Sequence, residues 1–442
     1  MTADSATLRS LLKTDLYHRL RPMGGRDPQE RGRSATPVEL LYDLTYVIAF
    51  AAAAEELAHG VSQGHVGPAL GAYAFAIFAV TWAWMNFTWF ASAYGNDDAL
   101  FRVATLVQMI GVIILIFGLP VSFESAAEGE SPNNMLMVIG YVIMRVPLIG
   151  LWLRAARNDP ERQRIDTAYA ITIAVAQAAW VLSAIAHLPT VATVAILVLL
   201  AAAEMIAPII LERQLGRPPW NAGHVAERFS LLTLIVLGEV IAATVSAVTA
   251  LTAEDGWTPA AVVITASGIV LATGFWWAYF LIPSRTILER WPERTYAWRY
   301  AHLPIFGAIA AVGAGLRIAA TAVAEQELSV LQIALALAIP VAALVVMIFV
   351  TWSVLMRTYD LTHVPLFVLT LIPILAAVAV PVFAGATGPV DLENSSDLTI
   401  LATVVGLIAL AAIVEVVGHE IVGYRHTLRV LEREQSGSAN SG

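Results

Sequence analysis

Thr36-Pro37-Val38-Glu39-Leu40-Leu41-Tyr42-Asp43-Leu44-Thr45-Tyr46-Val47-Ile48-Ala49-Phe50 opens an apolar run long enough to cross a bilayer, yet it carries two carboxylates. Pro37 suits the first position of a helix, where a missing N–H is no loss. Glu39 and Asp43 stand four apart and so share one helix face, which Tyr46 and Phe50 continue. A charge at membrane depth costs at least about 2.5 kcal/mol on insertion scales, so such groups turn toward a bundle interior. Glu39 reads equally well as a marker of the water boundary. Asp43, a turn deeper, is harder to explain that way.

The rest of the chain has the same character. Of 442 residues, 58% are hydrophobic and 13% charged, too little charge for a soluble domain of this length. Apolar runs near the ~20 residues that span hydrocarbon recur throughout, and helices satisfy their own backbone groups in lipid. The expected fold is all-α, a polytopic transmembrane helical bundle. Turn and charge signals place twelve spans at 37–59, 67–91, 98–121, 133–154, 164–187, 190–211, 225–250, 258–283, 299–321, 329–356, 363–385 and 398–422.

Composition also excludes. With no cysteine, disulfides, thiolate nucleophiles and cysteine-ligated metals are ruled out. The one lysine, Lys13, precedes the first span, so no membrane-embedded Schiff base can form. The net charge of −9 says little about a partner, because the signs are sorted along the chain. Residues 1–36 form a basic N-terminal arm without the apolar core of a signal peptide. The arm is expected to be mobile or to lie on the cytoplasmic surface, with Thr7 to Leu20 either a short amphipathic helix or a disordered tail.

Arginine sets the orientation. The arm, the fourth, sixth and eighth connections and the C-terminal tail 425–442 carry Arg, while the odd-numbered connections carry carboxylates such as Glu124, Glu128, Glu254, Asp391 and Glu393 and no Arg or Lys. Twelve spans with both termini cytoplasmic fit this alternation. The second connection fits least well, with Asp97 and Asp98 and its nearest base at Arg102.

The chain also echoes itself. Glu39 opening span 1 matches Glu227 opening span 7. Trp84 to Phe87 in span 2 matches Trp277 to Phe280 in span 8. Arg102 in span 3 matches Arg299 in span 9, and Glu204 in span 6 matches Glu415 in span 12. The offset grows steadily along the chain, as small insertions would make it. The expectation is two parallel six-helix repeats, 37–217 and 218–424.

Two stretches carry a family resemblance. Pro37-Val38-Glu39-Leu40-Leu41-Tyr42-Asp43-Leu44 resembles the opening motif of the bacterial low temperature requirement A (LtrA) family, with Leu41-Tyr42 and Thr45-Tyr46 replacing parts of its aromatic pattern. His224-Val225-Ala226-Glu227-Arg228-Phe229-Ser230-Leu231-Leu232-Thr233-Leu234-Ile235-Val236-Leu237-Gly238-Glu239 resembles the second motif closely. Length and span count agree as well. The family is named for a growth phenotype, so the resemblance implies a multi-pass bacterial membrane protein rather than a particular activity. A remoter likeness is to cation and proton channels of duplicated six-helix units, whose first helix carries Phe-Ser-Asp. Phe229-Ser230 is similar, but the Asp that follows is absent.

Four carboxylates are candidates for ion or proton binding: Asp43, Glu239, Glu204 and Glu415. Arg228 and Glu239 share a face of span 7, but eleven residues separate them by about 16 Å along the axis, so Glu239 needs another partner, water or a proton. Glu39 with Arg102, and Glu227 with Arg299, are expected to form two pseudo-symmetric ion pairs that fix helices or gate a path. Arg145 in span 4 is expected near Glu204. Ile348 stands where the second half would repeat that arginine, so Glu415 lacks the partner, and His419 one turn on is its substitute. The aromatic groups Trp82, Trp84, Phe87, Trp89, Phe90 and Phe275, Trp276, Trp277, Tyr279, Phe280 read as interfacial belts. His59 and His65 read as a solvated pair.

There is no Walker A loop, zinc-protease His-Glu-x-x-His, Gly-x-Ser-x-Gly or dinucleotide fingerprint. No cofactor, metal or nucleic acid is expected. The partners are membrane lipids and a small ion or solute, and homo-oligomerisation is left open. The leading expectation is a proton- or cation-linked transporter or channel of the cytoplasmic membrane. The alternatives are a non-catalytic membrane factor, which requires every intramembrane charge to be paired and no cavity, and a lipid-modifying enzyme, which requires a lipid-open cleft.

Overall fold

Thr36 starts the first long helix by reciprocal capping. Its hydroxyl accepts the Glu39 N–H at 3.4 Å, and the Glu39 carboxylate accepts the Thr36 N–H at 3.3 Å. The computed structural model describes residues 20–253, 256–325, 328–357, 363–390, 395–425, 428–429 and 432. The expected Thr7–Leu20 helix lies outside these residues save for its last one, as do most of the C-terminal tail and Glu254, Asp255, Glu327, Asp391 and Glu393.

There are 12 helices long and apolar enough to cross a membrane, and no strand among the described residues. In chain order the long helices are α1 (Pro37–Ser62), α2 (Val66–Tyr94), α3 (Ala99–Ala127), α4 (Met135–Asn158), α5 (Gln163–Ile185), α6 (Thr190–Leu215), α7 (Ala222–Thr252), α8 (Pro259–Phe280), α9 (Thr295–Glu325), α10 (Val330–Met356), α11 (His363–Phe383) and α12 (Ser395–Gly418). A short helix, Ser284–Arg290, precedes α9, and α12 runs on into a π-helix, His419–Gly423. The starts follow local chemistry. Thr258 caps α8 ahead of Pro259, and Ser329 with Gln332 forms a second capping box at α10. The protein is therefore a multi-pass helical membrane protein.

The chain divides into two compact units. Unit 1 comprises Met1–Thr45, Ala83–Gly118 and Asn134–Val225, and unit 2 comprises Tyr46–Trp82, Leu119–Asn133 and Ala226–Gly442. Neither coincides with residues 37–217 or 218–424.

In unit 1, α4 packs on α5 and α5 on α6. Helices α3 and α4 approach so closely that a Cβ on Gly140 would lie 2.5 Å from the Leu115 nitrogen. The described part of the basic arm is held against the end of α2, which fits the surface-lying alternative for that part. Arg33 donates to the Ala91 and Ser92 carbonyls, the Arg26 N–H donates to the Ala93 carbonyl at 3.0 Å, and the Arg26 guanidinium donates to the Gly95 carbonyl at 2.8 Å. The end of α2 has spare carbonyls and the negative end of a helix dipole, so arginines are the natural cap. Asn221, which caps α7 through the His224 N–H, also donates to the Pro28 and Glu30 carbonyls.

In unit 2, α9 packs on α10, α10 on α11, and α12 on α8, α10 and α11. Small residues set the spacing. A Cβ on Gly274 of α8 would sit 2.8 Å from the Ala412 methyl of α12.

Trp82, Trp84, Phe87, Trp89 and Phe90 are at most 4% exposed, so this group is interior and not a belt. The reason is chemical: two of its indole N–H groups are spent on buried carboxylates, as described below. Trp276, Trp277 and Phe280 of α8 are 40–48% exposed and keep the belt character, while Phe275 and Tyr279 are buried.

Candidate functional site

Each of the four candidate carboxylates is buried, and each has its own surroundings. Asp43 and Glu204 belong to unit 1, and Glu239 and Glu415 to unit 2.

In unit 1, Asp43 on α1 accepts the indole N–H of Trp84 on α2 at 2.6 Å. One turn earlier, Glu39 meets the Nε2 of His224 at 3.0 Å. Arg102, its expected partner, instead holds Asp97 with two bonds of 2.8 Å. The positive φ of Asp97, 52°, turns that carboxylate back toward the helix it precedes. The Glu39–Arg102 pair is therefore not formed. The neighbouring Asp98 is bound by Arg154 and by the N–H groups of Arg21 and Phe101. Burial alone would raise its carboxyl, but these donors outweigh it and hold the group down at about 2. This contact sets the acidic second connection beside the Arg-rich end of α4.

Glu204 and Arg145 meet as expected, at 3.0 Å. The same carboxylate accepts the Tyr141 hydroxyl at 2.9 Å and the Trp180 indole N–H at 2.8 Å. Arg145 also donates to the Tyr141 oxygen at 2.6 Å. Three helices, α4, α5 and α6, each supply part of this knot. Two turns along α6, Glu212 accepts from Trp89 at 3.0 Å and Tyr169 at 2.5 Å.

In unit 2, Glu239 on α7 is 4% exposed and is held by Arg317 on α9 through Nε at 2.8 Å and Nη2 at 2.6 Å, both to one oxygen. Gly313, one turn before Arg317, leaves room for the glutamate, since a Cβ there would lie 2.9 Å from its Cγ. Arg317 is 24% exposed on its side chain because it also lines a cavity of about 880 Å³. The same cavity is lined by Glu55, Glu56, His59, His65, Glu124 and Glu128. The two histidines thus stand in an acidic hollow.

Arg228, eleven residues before Glu239, is fully buried. Arg299 is buried with its guanidinium over the rings of Tyr296 and Tyr300, at 5.4 and 5.3 Å. Glu227 is half-buried and makes no ion pair among the described residues. The second expected pair, Glu227–Arg299, is therefore not formed, and the two tyrosine faces are among the neighbours the arginine has instead. Glu415 accepts the Thr370 hydroxyl at 2.9 Å and meets His419 Nδ1 at 3.3 Å, the substitute partner expected.

A family model described as bacterial low temperature requirement A protein matches residues 34–411. The chain belongs to this family. The match takes in the capping box at Thr36, all four candidate carboxylates except Glu415, and the cavity. A relative in Rhizobium meliloti (strain 1021), an uncharacterized protein, is 26% identical over 286 residues, covering 61% of this chain and 66% of that protein. No solved structure matches.

For this LtrA-family chain, sequence reasoning missed Arg317, His224, Trp84, Tyr141 and Trp180. Arg317 had a usable signal. It is an arginine near the end of α9 that faces the acidic, Arg-free connections, against the charge bias of the other spans.

Proposed function

We propose that the protein is a proton- or cation-linked transporter or channel of the cytoplasmic membrane, with both termini on the cytoplasmic side. The observation that carries this reading is the cavity whose wall includes Arg317, the residue that grips buried Glu239. Four carboxylates of one sign line it, and a concave, like-charged hollow concentrates cations. An arginine reachable from water and a glutamate shielded from it are the parts of a gate: a cation that competes for Glu239 loosens Arg317. Asp43, Glu204 and Glu415 are the further intramembrane candidates. The sequence echoes support two six-helix repeats of one orientation.

The alternative, a non-catalytic membrane factor, draws support from the arginine partners of Glu204 and Glu239. The cavity argues against it, as does Glu415, which has no arginine or lysine partner among the described residues. Proteoliposomes test the choice. Intact protein is expected to pass protons or alkali cations down a gradient, and Glu239→Gln to cut that flux at least about tenfold. No flux of any of these ions in the intact protein, or undiminished flux in Glu239→Gln, overturns the reading.

A further inference from the structure

α12 packs against α8, α10 and α11. Across Pro259–Phe280, Val330–Met356 and His363–Phe383 there is no Asp, Glu, Lys or Arg. The titratable residues of those helices are Tyr279, whose hydroxyl lies 2.8 Å from His302 Nε2, and His363 at the first position of α11. α12 itself adds Asp397 near its other end, and the turn beyond it adds Glu420, which accepts the Trp277 indole N–H at 2.9 Å. Glu415, 2% exposed, is met by Thr370 and His419 alone among the described residues.

A bare carboxylate is strongly disfavoured in such a cluster. No Arg or Lys among the described residues meets Glu415, so a proton on the pair is what neutralises it. His419 Nδ1 lies 3.3 Å from the carboxylate and 3.2 Å from the Glu415 carbonyl oxygen. Both oxygens are thus within reach of this one ring nitrogen.

We propose that Glu415 and His419, steadied by the Thr370 hydroxyl, hold one exchangeable proton within unit 2, and that this proton is the coupled ion. The proton sits on the carboxyl beside a neutral imidazole, or on the ring beside a carboxylate. The dyad is neutral either way, and losing the proton to water leaves one uncompensated negative charge.

The backbone at the dyad is unusual in a way that suits a switch. Glu415 lies on regular α-helix, but His419 is the first residue of the π-helix, a form that is rare and concentrates at functional sites. Between them, Gly418 lies under Leu366 of α11, where a Cβ would be 1.8 Å from a leucine methyl. Pro373 supplies no N–H to the Leu369 carbonyl, beside Thr370. Gain or loss of the proton therefore acts where α11 and α12 touch and where the helix changes register.

As the coupling site the dyad rests on the transport reading. As a proton site it does not, and the test separates the two. Full-length protein in phosphatidylglycerol–phosphatidylethanolamine vesicles is titrated between about pH 5 and 9 by infrared difference spectroscopy, with sodium held constant. The expected result is a carboxylic-acid carbonyl band that is lost in Glu415→Gln, moved in frequency in Glu415→Asp, and unchanged in Glu239→Gln. In His419→Gln its midpoint moves by about one pH unit or more. The Asp variant keeps the test open if the Gln variant does not fold. A band indifferent to Glu415→Gln and Glu415→Asp, no such band, or an unmoved midpoint in His419→Gln overturns the dyad. In a second series sodium is varied at fixed pH, and a band displaced there overturns the proton assignment in favour of a monovalent cation. If the band behaves as expected but no flux is found, the transport reading fails and the proton site stands.

Discussion

Glu204 and Glu415 are the same residue in the same kind of place, buried on a long apolar helix, and they are neutralised by opposite strategies. Glu204 sits in a knot of Arg145, Tyr141 and Trp180. Glu415 has one hydroxyl and one imidazole. An arginine keeps its charge at every accessible pH, so the Glu204 knot is fixed and ties α4, α5 and α6 together. An imidazole can gain or lose a proton where a guanidinium cannot, so the Glu415 site is not tied to one charge state as the Glu204 knot is. The partner, rather than the carboxylate, decides whether a buried acid is a cross-link or a switch.

The largest effect should come from breaking the fixed knot. Arg145→Met leaves the Glu204 carboxylate buried beside neutral donors, and removing one partner of a buried pair costs about 3–5 kcal/mol. The detergent-solubilised variant should melt well below the parent. Adding Glu204→Leu removes the stranded charge and should restore most of the loss. If Arg145→Met melts like the parent, the knot is not the cross-link described.

That knot was half legible in the sequence. Arg145 and Glu204 could be matched by depth, since both stand a similar distance from Arg-rich connections. Tyr141 and Trp180 could not be matched, because an aromatic residue in an apolar helix gives no sign of where its one polar atom points. The spans were legible for the same reason the pairings were not. Lipid imposes length and composition on every helix, whereas a pairing depends on rotation about the helix axis. Arg102 pairs with Asp97, five residues away, and not with Glu39 on another helix, and Arg299 lies over two tyrosines without reaching Glu227. The aromatic run of α2 looked like a belt because belts and buried donors use the same residues. Trp84 is buried against Asp43, whereas its echo Trp277 is half-exposed and donates to an exposed Glu420.

A smaller effect is expected at the Arg-rich edge of unit 1, where Asp98 offers a third case: a carboxylate held by an arginine but outside the spans. Asp98→Asn weakens the bonds to Arg154 and to the Arg21 and Phe101 N–H groups, at about 1.5–3 kcal/mol for bonds to a charged group. Limited proteolysis should then cut the arm between Leu20 and Arg33 faster. The pH dependence has a definite sign. The folded carboxyl is depressed to about 2, so its contribution is complete above the unfolded value near 4 and disappears as pH falls through about 2. Protection of the arm should therefore be level from neutrality down to about pH 4 in the parent. A loss of protection that begins well above pH 4 would mean that Asp98 is not what holds the arm.

The smallest change in stability should come from Glu415→Gln, and its smallness is what gives the comparison its edge. The amide oxygen can still accept the Thr370 hydroxyl, and nothing charged is left stranded, so the cost should be about 1 kcal/mol or less. Glu204→Gln is the same chemical change in the other unit, yet it leaves Arg145 buried without its counter-charge and should approach the loss expected for Arg145→Met. Melting the two isosteric variants side by side separates a fixed charge from a removable one. Equal losses would mean that Glu415 carries a full charge matched by a permanently protonated His419. The two sites would then be two forms of the same cross-link, and the proton held at the junction of α12 and its π-turn would have nowhere to go.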